Sequence, residues 1–198
     1  MENYECFEVK GKPLEFIETT HTYLYDGIVL PSITQLLSCK FGSKYDGIPK
    51  AILQRASAMG SAVHKAIEDY EQQGIETDLP ELRGWKFLKK AHGFDCLDNE
   101  VPVVLFKDGE AVACGRLDLV LCEQNSIGLG DIKRTATLDK QYLTYQLNCY
   151  RVAYMQCYCA EIAFLRGIHL RNDVRKYIGI PINENLVDEV LNDYFKEN

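Results

Sequence analysis

The spacing of apolar residues along this chain switches between the two-residue period of strands and the roughly 3.6-residue period of helices. Residues 14–30 alternate as a β-hairpin in which Asp26-Gly27 makes a tight turn between Tyr23-Leu24-Tyr25 and Ile28-Val29-Leu30. Pro31 then precedes Ser32-Ile33-Thr34-Gln35, a capping-box pattern that predicts a short helix ending near Cys39. Residues 41–48, with Gly42, Ser43, Asp46 and Gly47, read as a loop carrying lysines. Pro49 opens a long helical pattern that Gly74 closes. Ala56, Gly60, Val63, Ile67 and Tyr70 form its inward stripe, and His64 lies one position away. A further helix over 79–93 offers Leu82, Trp85, Phe87 and Leu88 to the core and Lys86, Lys89 and Lys90 to the outside. Beyond Phe94 the period returns to two, predicting an antiparallel meander over 97–106, 111–122 and 127–133. Asp139 caps a helix reaching about Tyr158, residues 161–168 and 174–180 supply two closing strands, and Asn183 caps a last amphipathic helix containing Leu186, Val187, Val190, Leu191 and Phe195.

The second hairpin of the meander organises the candidate chemistry. If the polar group 123–126 is its turn, centred between Gln124 and Asn125, then Asp118 faces Asp131 across the ladder. Alternation puts Lys133 on the face of Asp131, with Arg116 opposite it, and turns Ile132 the other way among Leu117, Leu119 and Leu121. Like charges directly opposed in a sheet repel. A bound cation reverses that sign, and magnesium uses one or two carboxylates together with water and phosphate oxygens. The plainer alternative is a solvated edge where each acid pairs with Arg116 or Lys133. Glu100, on the preceding strand, leans toward the two aspartates, and Gln146 and Tyr150 share one face of the helix that follows.

Composition narrows the class. The 198 residues, 46% hydrophobic and 26% charged, suit one substantial core. A single domain is expected over 1–198, with a hairpin and helical part over 1–93, a sheet core over 94–182 and a helix over 183–198. No apolar run approaches the roughly 20 residues that span a bilayer. The N-terminus has neither a basic nor an apolar leader segment, so a cytosolic setting without membrane attachment is expected. A net charge of −7 argues against coating nucleic acid by charge alone but leaves room for an enzyme that brings phosphate in through metal ions. The eight cysteines follow no disulfide-scaffold spacing and read as small buried hydrophobes in a reducing compartment. Cys157 and Cys159 form a C-x-C with Cys149 eight residues earlier, but no C-x-x-C accompanies it and no iron–sulfur cluster is expected.

Taken in order, the helix with His64, the strand with Glu100, G-R-L-D ending at Asp118, G-D-I-K ending at Lys133 and Q-L-N-C-Y from Gln146 to Tyr150 resemble the PD-(D/E)xK nuclease superfamily. Within it the chain is most similar to the RecB-type exonucleases, which include phage recombination exonucleases, CRISPR adaptation exonucleases and the mitochondrial genome-maintenance exonuclease. H-T-Y-L-Y-D-G-I-V-L-P-S-I-T and M-G-S-A-V-H also look like N-terminal signatures of small phage members. The resemblance implies an α/β, restriction-endonuclease-like core, a central mixed sheet flanked by helices. It implies Asp118, Asp131, His64 and the Ile132 carbonyl as ligands of Mg2+ or Mn2+, and Lys133 as the cation that activates water and steadies the phosphate. Glu100, Gln146 and Tyr150 complete the catalytic set, and Ser32, Arg55, Arg116 and Arg134 are its DNA contacts. Arg134 stands where the family often has threonine, with Thr135 next.

The expected activity is hydrolysis of DNA phosphodiesters from an end, in phage or mobile-element recombination and repair. DNA is the expected partner, single- or double-stranded, together with a recombination or single-strand-binding protein. Tyr23, Tyr25 or Tyr45 could stack on bases. Two alternatives stay open: a catalytically silent nuclease fold that binds DNA or protein, and an endonuclease sharing the same chemistry.

Overall fold

The structure, a computed structural model, describes residues 4–42 and 47–197. Part of the loop expected over 41–48, with Tyr45, therefore lies outside the described residues.

The N-terminal part is a four-stranded antiparallel sheet in sequential order, β1 (Tyr4–Val9), β2 (Lys12–Ile17), β3 (Thr22–Tyr25) and β4 (Ile28–Leu30). Only the turn at Asp26-Gly27 was read from the sequence. Lys10-Gly11 makes an equivalent turn, with φ of 52° and 74°, the positive values that two-residue hairpins require. It adds β1, whose alternation E-C-F-E-V was overlooked. Leu14, Phe16, Tyr23 and Tyr25 bury the inner face of this sheet against Val104 and Cys114. Next comes α1 (Ile33–Phe41), which starts with the expected capping box: Gln35 N–H donates to Ser32 Oγ at 3.1 Å and Ser32 N–H to Gln35 Oε1 at 2.6 Å.

The central sheet orders β5 (Phe94–Lys107), β6 (Glu110–Glu123), β7 (Ser126–Lys133), β8 (Phe164–Arg171) and β9 (Val174–Ile180) in sequence. All neighbours are antiparallel except β7 and β8, which run parallel because α4 (Lys140–Tyr158) carries the chain back between them. This is the mixed α/β architecture the sequence predicts. Strand β5 starts earlier than the expected 97 and β6 ends just past the expected 122, since Phe94 and Glu123 also pair across the ladder.

Helices cover both faces of the sheet, as alternation along single strands shows. Leu165 on β8 and Leu129 on β7 join one core with residues of α1, α4 and α5 (Asn185–Glu197). Ile168, Leu170 and Ile132 join another with residues of α2 (Lys50–Gln73) and α3 (Pro80–His92). Leu119 and Leu121 accompany Ile132 as predicted, whereas Leu117 packs in the first core. The alternation breaks at Glu100, which takes φ of 51° within β5. No described helix is long and apolar enough to cross a membrane.

Two core expectations need correction. Phe87 is 53% exposed, because the buried stripe of α3 runs through Glu81, Trp85 and Leu88, and its ring instead receives the Arg175 guanidinium at 4.5 Å. Ala56 is exposed as well, because only the second half of α2 packs, through Val63, Ala66 and Ile67. Of the outer lysines of α3, Lys86 pairs with Glu76 and Lys89 with Glu71, while Lys90 is exposed.

Close packing where α4 crosses the sheet depends on Gly167, where an added Cβ would lie 2.5 Å from Leu143 Cδ2. Gly167→Ala is expected to cost about 1–3 kcal/mol. Gly60→Ala, with nothing within 4 Å of the new Cβ, is expected to be neutral or to stabilise by up to about 1 kcal/mol. Urea unfolding of the two variants measures both.

Candidate metal centre

The β6–β7 turn falls at Gln124-Asn125, with φ of 48° and 66°, and the ladder pairs Glu123 with Ser126 through to Leu119 with Gly130. The predicted register is correct. Pairing then stops one step short of the two aspartates. Instead of continuing the ladder, Ile132 N–H donates to Asp118 Oδ2 at 2.7 Å, so a side chain occupies the place of a backbone acceptor. The hairpin is splayed at this end, and β7 is held there by its parallel partner, Lys133 opposite His169.

Into this opening α2 brings His64. Its Nε2 lies 3.1 Å from Ile132 O, its Nδ1 3.4 Å from Glu100 Oε1 and 3.7 Å from Asp118 Oδ2. A ligand atom from each of His64, Glu100 and Asp118 falls within 4.8 Å of the others. When Nε2 carries a proton for the Ile132 carbonyl, Nδ1 is the atom that faces the two carboxylates. Asp131, almost fully buried, is engaged by Lys133, whose Nζ is 2.8 Å from Oδ1 and 2.7 Å from Oδ2. Of the expected ligands, only His64 and Asp118 fall in this group, and they are joined by Glu100, which was expected in the catalytic set and not as a ligand. Asp131 is tied to lysine, and the Ile132 carbonyl serves the histidine.

Helix α4 closes the site with Gln146 and Tyr150, both buried. Tyr150 approaches β6 so closely that a Cβ on Gly115 would lie 2.9 Å from its ring and 3.0 Å from its hydroxyl. Burial, and then the nearby charges of Asp118 and Asp131, hold its phenol well above the ordinary range, so it remains an O–H donor.

The electrostatics oppose the arrangement without a cation. Burial, with Asp131 adding to it, pushes Asp118 up to about 7 against the pull of His64 and Lys133. For His64, burial works against the charge, but Asp118, Glu100 and Asp131 outweigh it and raise the imidazole to about 9. Lys133 is also raised, since Asp131 and Asp118 overcome its desolvation. A proton on His64 Nδ1 therefore sits where a cation would relieve the same carboxylates. Two buried acceptors fit that reading. Gln146 Oε1 has no hydrogen bond among the described residues, and Asp131 Oδ2, though close to the ammonium, lies off its hydrogen-bonding direction. One imidazole nitrogen with two carboxylate oxygens within 4.8 Å of one another is a donor set that could hold a divalent cation.

The expected DNA contacts meet a different geometry. Arg116 donates to Glu5 at 2.7 Å and lies 3.3 Å from Glu100. Arg134 Nε donates at 2.8 Å to Glu81, a buried acid that also accepts Asn172 N–H at 3.0 Å. Ser32 is buried in its helix cap. All three have polar atoms engaged inside the fold rather than standing free on the surface. Arg55 alone of the four stands exposed, on the free half of α2. Of the stacking candidates, Tyr23 and Tyr25 are buried in the N-terminal core. The role of Glu81 was missed, although its spacing from Trp85 and Leu88 places it on the buried stripe of α3. Among the cysteines, Cys149 is buried in the core, Cys157 exchanges hydrogen bonds with the Val104 backbone, and Cys159 is exposed at the end of α4.

No family model matches the chain, and no curated protein matches it. Among solved structures, the one titled "Crystal structure of SSO0001" aligns with 84% of this chain and 75% of its own, at 16% identity and a TM-score of 0.44. A likeness that loose carries no argument about the site.

Both raised groups bind their protons more tightly in the folded chain than in the unfolded one. Stability without metal should therefore fall as pH rises, from about 4 to about 7 through Asp118 and from about 6.5 to about 9 through His64. In chelator above neutral pH, Asp118→Asn is expected to be more stable than wild type by at least ~1 kcal/mol, a rise of about 2–4 °C in Tm. Added Mn2+ should stabilise wild type increasingly toward pH ~9, as it takes over from those protons, and leave the variant little changed. Thermal melts across pH, with and without Mn2+, measure both effects.

Proposed function

We propose that this chain is a divalent-metal-dependent deoxyribonuclease, and that it works as an exonuclease of the PD-(D/E)xK, RecB-like type. The observation that carries the reading is the convergence of His64, Glu100 and Asp118 beside the Asp131–Lys133 pair at the splayed end of one hairpin. Its order along the chain follows the motif order of that superfamily. Acids gathered at a cost to the metal-free fold support a site kept for chemistry rather than for stability.

Mg2+ or Mn2+, when bound, would supply a water acidic enough to attack near neutral pH and a charge to steady the phosphate. His64 Nδ1, Glu100 and Asp118 would hold it, and Asp118 is oriented for this by Ile132 N–H. Lys133 keeps its proton through the charges of Asp131 and Asp118, so it acts as a fixed cation toward the scissile phosphate rather than as a base. Asp131 aims that ammonium from the next position on the same strand face. Tyr150 stays protonated and can donate, and Gln146 offers its amide beside it. With a net charge of −7, attraction of DNA depends on the metal and on local cations such as Arg55. The exonuclease assignment, a setting in phage or mobile-element recombination, and a recombination or single-strand-binding partner rest on the family resemblance.

The test is incubation of end-labelled linear and covalently closed circular DNA, single- and double-stranded, with Mg2+, Mn2+ or chelator. Cleavage of linear DNA alone, abolished by chelator, is expected. Cutting of closed circles would make the chain an endonuclease, and DNA bound but left intact would make it a silent nuclease fold. Asp118→Asn, Asp131→Asn and Lys133→Ala should each lower the rate by about 10²-fold or more. Full activity in any of the three would remove that residue from the mechanism.

A further inference from the structure

Building on the metal-dependent reading above, we propose that Arg116 is a positioning residue for Glu100, held in place by the N-terminal sheet. Glu100 is set at a break in β5: its neighbours Asn99 and Val101 pair with Leu119 and Leu117, while Glu100 itself takes a left-handed conformation that non-glycine residues rarely adopt. That conformation brings its carboxylate to the site, and the two oxygens are then divided. Oε1 lies 3.4 Å from His64 Nδ1, and Oε2 lies 3.3 Å from Arg116 Nε.

The guanidinium has little freedom to move. Its Nη1 donates to Glu5 Oε2 at 2.7 Å, and the rings of Phe7 and Phe16 lie 5.9 Å from its centre. Glu5 and Phe7 alternate onto one face of β1, and Phe16 is the cross-strand partner of Glu5. One face of the N-terminal sheet therefore presents an acid and two rings to a single arginine on β6. A planar guanidinium fixes the directions in which it meets two carboxylates, whereas the flexible, point-like ammonium of a lysine can reach two acids, as Lys40 does with Glu189 and Asp193, without fixing either. One oxygen of Glu100 is then held from behind by an ion pair, Arg116 Nε having no aligned hydrogen-bond acceptor among the described residues, and the other faces His64. The sheet that contributes no metal ligand thereby sets the orientation of one.

A guanidinium beside a carboxylate could instead act only by neutralising it, and the two roles differ in sign. If Arg116 merely neutralises Glu100, removing it strengthens cation binding, and a lysine restores it. If Arg116 positions Glu100, removing it weakens binding, and a lysine fails to restore it.

The experiment is a titration of the metal-stripped full chain with Mn2+ alone, followed by the electron paramagnetic resonance signal of the free ion. Arg116→Met is expected to weaken Mn2+ binding by about 10-fold or more. Arg116→Lys should remain weakened, and Glu5→Gln should shift affinity in the same direction by a smaller factor. Because Glu5 is 44% exposed in its side chain, Glu5→Gln keeps the test open if Arg116→Met fails to fold. Tighter binding in Arg116→Met, or wild-type binding in Arg116→Lys and Glu5→Gln, would overturn the positioning role. Asp118→Asn separates the two levels. If it binds Mn2+ as wild type does, the metal centre itself is wrong; if it abolishes binding while the Arg116 and Glu5 variants match wild type, only the positioning role is wrong.

Discussion

Repulsion between carboxylates that the fold forces together is the constraint around which this structure is arranged. Asp118 and Asp131 stand just beyond the last paired residues of one hairpin, and Glu100 reaches them from the next strand out. A chain under selection for stability alone would place such acids apart or in water. Here they are half or fully buried, and the nearby cations are distributed among them: Lys133 to Asp131, Arg116 to Glu100, His64 between Glu100 and Asp118. The hydrogen bond from Ile132 N–H to Asp118 turns this repulsion into a defined geometry, because the ladder must open for the carboxylate to enter.

Each surrounding element has a task set by that opening. The parallel partner β8 keeps β7 straight after its antiparallel partner has left it, and Arg134, anchored to buried Glu81, fixes the strand just beyond Lys133. The packed half of α2 delivers His64 from one side of the sheet, and α4 delivers Gln146 and Tyr150 from the other. The N-terminal sheet reaches the same place through Glu5 and Arg116. The first half of α2, with Arg55, is exposed and precedes His64 on the same helix.

Local physics made much of this legible in the sequence. The type of turn at Gln124-Asn125 sets the register of the hairpin, so the meeting of Asp118 with Asp131 could be read from spacing alone. Caps at Ser32, Asp139 and Asn183 and the glycine after α2 located most helix ends for the same reason. Faces were harder, because periodicity assumes an unbroken strand, whereas β5 departs from it at Glu100 and β6 between Leu117 and Leu119, which pack in different cores. Partners distant in the chain were not legible at all. Nothing near Arg116 points to Glu5, 111 residues away, and nothing near Arg134 points to Glu81. Both arginines looked like surface cations available to a phosphate backbone. The placement of His64 came from motif resemblance, since a histidine beside an apolar stripe has no distinguishing pattern of its own.

The most direct measurement is anomalous X-ray scattering from a crystal of the full chain grown with Mn2+. The account predicts a peak bonded to His64 Nδ1 and to oxygens of both Glu100 and Asp118, with Lys133 still paired to Asp131. A site without a peak, in which His64 remains hydrogen-bonded to Glu100 at saturating Mn2+, would contradict it.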